Sequence, residues 1–484
     1  MTPLIAILVV LAYLALLFTI SYLAGRGADN AGFFVGGRQS NWFIVALATI
    51  GSMMSGVTYV SVPGMVAQSS FSYLQMVMGF VVGQFIIAFV LVPIYYKLNL
   101  VSIYQYLQSR FGLRSYQTGA WFFFVSKMLG AGVRLYLVCL TLQLLIFDPL
   151  HLPFALNVLF TMLAVWIYTF RGGVKSIIWA DLLKTICLIT SVILCIYYVA
   201  RGLGYHVGDL WSVIWSNDMS QVFFVDDIND KRFFPKQFFA GVFTMIATSG
   251  LDQDLMQRNL SCRNSWESTK NMMVSGILQF LVVTLFLMLG VLLYLFAAHV
   301  GLQCAGDQLF TRIATGGYLP LVVGVLFLIG LVAASMGAAG SALTALTTSF
   351  TVDILRANQD DEQATGRKRR LVHILMAVLM GLFIYVFHQL SSRSVIDAVY
   401  TLASYTYGPL LGLFAFGIIM KNRVRDPFIP VVAILSPILC FIIDTHSVQW
   451  LGGYHFSYEL LIMNALLTFL GLCLLIRRGE KVTK

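Results

Sequence analysis

The sequence predicts an all-α polytopic membrane protein with about thirteen transmembrane helices. Three observations carry this. Of 484 residues, 59% are hydrophobic and 11% charged, and the mean hydropathy is +0.84, a composition outside the range of soluble domains. Apolar runs long enough to cross the hydrocarbon of a bilayer recur along the whole chain. The basic residues fall mostly between those runs and collect on one side.

Taken in order, the runs are 2–24, 41–69, 72–97, 117–147, 152–170, 176–201, 236–257, 270–299, 319–354, 371–389, 396–420, 427–445 and 456–477. The first has no basic leader and no cleavage signal, so it is expected to be a retained helix. With the N-terminus outside, alternating crossings put Arg26, Arg38, Lys97, Arg110, Arg114, Arg171, Lys175, Arg258, Arg263, Arg356 and Arg367 to Arg370 inside. The outer loops then hold few basic residues, among them Lys231, Arg232, Arg312 and Arg393. This bias predicts a cytoplasmic C-terminus in a plasma-membrane protein. The net charge of +10 is thereby a topology signal, and no nucleic-acid partner is expected.

The run 41–69 is unusual. Between Ala46 and Gly64 it carries Gly51, Ser52, Ser55, Gly56, Thr58, Ser61 and Pro63. In hydrocarbon a free backbone N–H or C=O costs several kcal/mol, so breaks survive only inside protein or beside a water-filled cavity. The helix is expected to unwind near Ser52–Gly56 and to lend carbonyls and hydroxyls to a site at mid-membrane depth. Close packing through small residues is the alternative. The acidic outer loop 202–235 separates two blocks of five helices, 41–201 and 236–420. Helix 2–24 precedes them and two helices in 427–477 follow. Each block opens on a helix rich in small and hydroxylated residues, Thr244–Gly250 in the second. Five helices per block invert the second relative to the first, which predicts an inverted repeat with discontinuous helices at the midplane and a solute site between them.

Charges within the runs are costly and mark function. Asp181 lies about five residues into its helix; it reads as an ion ligand or proton carrier, or as an i,i+3 partner of Lys184. Arg134 sits deeper, where its guanidinium can bind a substrate carboxylate or an acceptor of the protein. Lys127 reads as a snorkelling residue. Ser341, Thr344, Thr348 and Thr351 share one helical face, either lining an ion path or bonding back to carbonyls. The seven cysteines show no metal or disulfide pattern, and the seven histidines are isolated near span ends or in loops. An enzyme is therefore not expected, nor a cofactor or an obligate protein partner.

The chain resembles the sodium:solute symporter family. The matching stretches are FFVGGRQSNWF (33–43), SGVTYVSVPG (55–64), GGVKSIIWAD (172–181), GLDQDLMQRNL (250–260), SALTALTTSFTVDI (341–354) and YGPLLGLF (407–414). The resemblance implies alternating access and coupled uptake of a small organic solute. It implies a main sodium site on carbonyls of Gly51, Met54 and Ala334, with two hydroxyls at positions that are here Gly337 and Ala338. A nearby acidic or hydroxyl position of that main site is here Gly340, and the resemblance implies a second sodium site on Asp181 and Ser341. The substrate cavity would be lined near Ser55, Thr58, Tyr73, Arg134, Thr248 and Ser249, with Arg134 on the carboxylate of an acidic sugar or organic anion. Where many relatives have a glutamine, this chain has Lys184, whose ammonium could stand in for an ion or carry a proton. Sodium coupling is the expectation by resemblance. Loss of the hydroxyls at 337 and 338 leaves open a proton symporter, uniporter or exchanger on the same fold.

Overall fold

A computed structural model of the chain describes residues 2–24, 40–98, 100, 102–169, 174–355, 362–390 and 395–481. Arg26, Arg38, Arg171, Arg356, Arg393 and the glycines 172 and 173 lie outside the described residues.

Each expected apolar run falls on a helix or on a broken pair of helices. Short helical turns apart, the helices that build the fold are α1 Pro3–Ala24, α2 Trp42–Met53, α3 Gly56–Gly64, α4 Ser72–Ile86, α5 Leu113–Leu142, α6 Phe154–Thr169, α7 Val174–Gly202, α8 Phe234–Met245, α9 Gln253–Asn259, α10 Ser265–His299, α11 Leu321–Ser349, α12 Glu362–Leu390, α13 Val395–Ile419, α14 Ile429–Trp450 and α15 Leu460–Leu474. Among the described residues nine helices are long and apolar enough to cross a membrane, or ten if α2 and α3 count as one bent span. α6 and α15 are apolar but shorter. A two-stranded antiparallel sheet joins Asn422–Val424 to Ile476–Lys481 near the C-terminus.

The first break forms where the small residues cluster. α2 ends at Met53, Met54 and Ser55 are extended, and α3 leaves at 58° to α2. The expected unwinding near Ser52–Gly56 is thus present. The second break follows α8. A π-helical turn, Ile246–Gly250, runs into Leu251 and Asp252 before α9 begins; such turns gather at functional sites. The carbonyls freed there are satisfied: Tyr95 donates to Gly250 O at 2.9 Å and Tyr104 to Leu251 O at 2.8 Å. Asp252 caps α9 by accepting from the backbone N–H groups of Asp254 and Leu255.

Packing brings the two breaks face to face. α4 and α8 share the most extensive helix–helix contact among the described residues, and α7 packs on both α2 and α11. Glycines permit the approach. A β-carbon at Gly79 would overlap Phe238 O, and one at Gly241 would overlap Met76 O. A β-carbon at Gly51 would lie 2.5 Å from Asp181 O, so only glycine lets α2 touch α7 there.

Candidate functional site

Between the breaks lies a cavity of about 110 Å³. α2 and α3 supply Ser52, Ser55 and Gly56; α5 supplies Ser126, Lys127 and Arg134; α8 and its π turn supply Thr244, Thr248 and Ser249. Asp252 and Asp254 at the second break, Gln279 of α10, Ser335 and Ser341 of α11, and Tyr400 and Tyr407 of α13 complete the polar lining. A second space of about 920 Å³ opens among the loops around Arg232, Asp307 and Tyr458. Tyr73 lines this vestibule and Tyr400 lines the cavity, and their hydroxyls are 2.6 Å apart. The tyrosine pair therefore stands between the two spaces. α8 starts beside the vestibule and ends at the second break, so Asp252 lies at the far end of the cavity.

At that end the charges form a continuous ladder. Ser52 Oγ donates to Asp181 Oδ2 at 2.8 Å, and Arg258 Nη1 binds the same oxygen at 2.6 Å. Arg258 Nη2 reaches Asp254 Oδ1 at 2.7 Å. Lys127 Nζ lies 3.1 Å from Asp254 Oδ2 and 2.9 Å from Asp252 Oδ2, which also accepts from the Tyr407 hydroxyl at 3.0 Å. The ladder ties α2, α7, α9, α5 and α13 together through groups that are nearly all hidden from solvent; Asp181 is 1% exposed and Arg258 2%. Burying charges this deeply is tolerable only with such pairing.

Three expectations are corrected here. Lys127 does not snorkel; it bridges two carboxylates. Asp181 pairs with Arg258, not with Lys184. Arg258 is no loop residue but the centre of the ladder. Lys184 is fully buried, and its Nζ has no hydrogen-bond partner among the described residues. It points at α11: a β-carbon at Gly337 would lie 3.0 Å from Lys184 Cδ, 3.1 Å from Asp181 Oδ1 and 3.5 Å from Lys184 Nζ. The space of a missing side chain at 337 is thus filled by the lysine. At Gly340 the neighbouring space is filled by the Tyr168 phenol, which donates to Met336 O.

The expected lining residues separate. Ser55, Arg134, Thr248, Ser249 and Ser341 face the cavity, and Tyr73 faces the vestibule. Thr58 lies off both; its Oγ1 accepts from Ser55 N at 3.5 Å. Gly51, Met54 and Ala334 are buried beside the first break without lining the cavity. Ser341 Oγ donates to Ala338 O at 3.3 Å. Thr344 and Thr348, from the same helical face, line a separate small pocket with Arg369, Arg370 and His373. His373 is not isolated: its ring nitrogens meet Thr169 and Thr347.

Asp252 and Asp254 escaped sequence reading because they fall where an apolar run fades into an expected loop. The available signal was a small-residue break followed by Asp254 and Arg258 at i,i+4. Arg134 is the reverse case. It stands on the cavity wall, and among the described residues it makes no hydrogen bond or ion pair.

A polar chamber where two helix breaks meet, inside a stack of apolar helices, defines a secondary transporter. Residues 33–426 match the model of the sodium:solute symporter family, and the chain belongs to that family. It is similar to the sodium/sialic acid symporter NanT of Aliivibrio fischeri, 26% identical over 454 residues that cover 88% of this chain and 86% of the relative. It is 22% identical to the sodium/sialic acid symporter SiaT of Proteus mirabilis over 469 residues, covering 88% of each chain. Against the human sodium/iodide cotransporter the identity is 23% over 82% of this chain but 62% of the longer relative. A Na+-coupled sialic acid symporter solved in a substrate-bound outward-open state has the same fold, with TM-score 0.81, 20% identity and 97% of each chain covered. The chain is therefore a multi-pass membrane transporter and not an enzyme, and sodium is the coupling ion its family implies.

Proposed function

We propose that this transporter takes up a small organic anion, an acidic sugar or another carboxylate, by alternating access across the cell membrane. The reading includes thirteen crossings, an outer N-terminus, a cytoplasmic C-terminus, and inverted repeats at 41–201 and 236–420. One observation supports the substrate class above the others: among the described residues Arg134 faces the cavity with no acidic partner, while every other cavity-lining charge is paired. A guanidinium so placed suits a bidentate carboxylate. The two sialic acid symporters among the relatives make N-acetylneuraminate the first ligand to try. Thermal-shift titration of the purified protein should show stabilisation by it or by a smaller carboxylate. Arg134→Ala should weaken that binding on the order of 100-fold, in the range for losing a charged partner. Unchanged affinity in Arg134→Ala would remove the anion reading.

A second reading is favoured by particular residues. Sodium takes oxygen ligands, yet Gly337 and Ala338 offer no side-chain oxygen, Asp181 is held by Arg258, and Lys184 fills the space at 337. The chain would then run without sodium, its own cations standing where ions stand in relatives. Uptake into proteoliposomes with and without an inward sodium gradient separates the readings. Sodium independence that gives way to sodium stimulation in Lys184→Gln/Gly337→Ser supports the second; strict sodium dependence of the native protein ends it.

A further inference from the structure

We propose that this chain works as an exchanger of organic monoanions, trading one substrate anion for another instead of returning empty. The inference rests on Arg134 holding the substrate's anionic group, and it follows from the charges around the cavity. Asp181, Asp252 and Asp254 are matched by Lys127, Arg258 and the ammonium of Lys184, which faces the same point of α11 as Asp181. The ladder with Lys184 is thus neutral by itself. Among the described residues two other buried charges lie away from it and do not line the cavity: Lys236 against His455 O and the Tyr454 ring, and Asp353 against Tyr116 and Ser349. Among the described residues, Arg134 is the one cavity-lining charge without a counter-charge.

Alternating access requires the cavity to close to both waters before it reopens. With a carboxylate on Arg134 the closed chamber is neutral. Without one, the closed chamber seals an unpaired guanidinium away from solvent, a state that buried ion pairs exist to avoid. A sodium ion would add to the imbalance, because Asp181 and its surroundings already carry two cations. The loaded carrier therefore crosses readily and the empty one slowly, since a ligand shifts a conformational equilibrium only by its differential interaction with the two states. Return with a second anion bound is the easy half of the cycle. No bond is made or broken, and one monoanion moves each way.

The test uses the full chain in liposomes with radiolabelled N-acetylneuraminate, L-lactate and D-gluconate as probes. Liposomes are loaded with the same unlabelled anion or with buffer alone. Initial uptake should be on the order of tenfold faster into loaded liposomes. It should also be indifferent to a sodium gradient and to a potassium–valinomycin potential, because the exchange moves no net charge. Equal rates into loaded and empty liposomes, or accumulation driven by sodium or by a proton gradient, overturn the exchange. If Arg134→Gln abolishes such uptake, the anion reading survives that loss. No flux of any probe in either mode overturns both. Lys184→Gln and Lys184→Met remove one cation, so the empty chamber becomes neutral and the advantage of loaded liposomes should shrink severalfold. An unchanged ratio in both variants, each folded by size-exclusion profile, overturns the charge argument.

Discussion

At the scale of residues, the ladder matters because each member is held by its neighbours. Removing one leaves another charged and buried. Asp181→Asn strips Arg258 of one carboxylate, and the expected loss is about 3–5 kcal/mol of stability. Combining it with Arg258→Gln should restore part of that loss, although Asp254 then keeps only Lys127. Melting of the purified single and double variants measures the coupling; simple additivity would mean that the contact between Asp181 and Arg258 contributes little. Asp181 and Arg134 were legible in the sequence as charges too deep to be loops. The partner of Asp181, Arg258, was not. Hydropathy gives depth along a helix, whereas a partner is chosen by which faces of different helices meet. Arg258 and Lys127 lie toward the ends of apolar runs, where a basic residue ordinarily turns back to water.

At the scale of elements, the breaks were the most legible feature. Gly51, Ser52, Ser55 and Gly56 announce that the helix cannot hold in lipid, and the chain bends there by 58°. The second break lies just beyond the small-residue stretch Thr244–Gly250: Thr244 and Met245 close α8, Ile246–Gly250 stays helical as a π turn, and the chain opens only at Leu251 and Asp252. Two tyrosines from distant positions, 95 and 104, take up the carbonyls released there, a long-range satisfaction that no local pattern displays. The helix pair α4–α8 beside this break depends on glycine. Gly79→Leu should force the backbones apart and cost about 1–3 kcal/mol, the range for overpacking. Gly366→Ala should be neutral or stabilising by up to about 1 kcal/mol, because among the described residues position 366 in α12 meets nothing within 4 Å. Thermal melts of both variants check the contrast; a drop in both would mean that helix packing is not what separates them.

At the scale of the whole molecule, the likeness to the sialic acid symporter structure covers nearly the entire chain, and the sequence had already shown why: the motifs that carry the resemblance are spread from 33 to 414. Departures from the family pattern were also readable, as the glycines at 337 and 340. Their filling was not, since Lys184 and Tyr168 reach those spaces from other helices.

The two spaces either side of the Tyr73–Tyr400 contact differ about eightfold in size, 920 Å³ against 110 Å³. The inner one has room for a few waters and not for a nine-carbon acid. A bulky guest must therefore wait at the doorstep until the walls part, so its entry should be paced by the protein's own breathing and not by encounter. Rapid-mixing fluorescence would show this as an observed rate that levels off with rising ligand concentration. A rate that climbs in a straight line would mean that the chamber is already wide enough in solution.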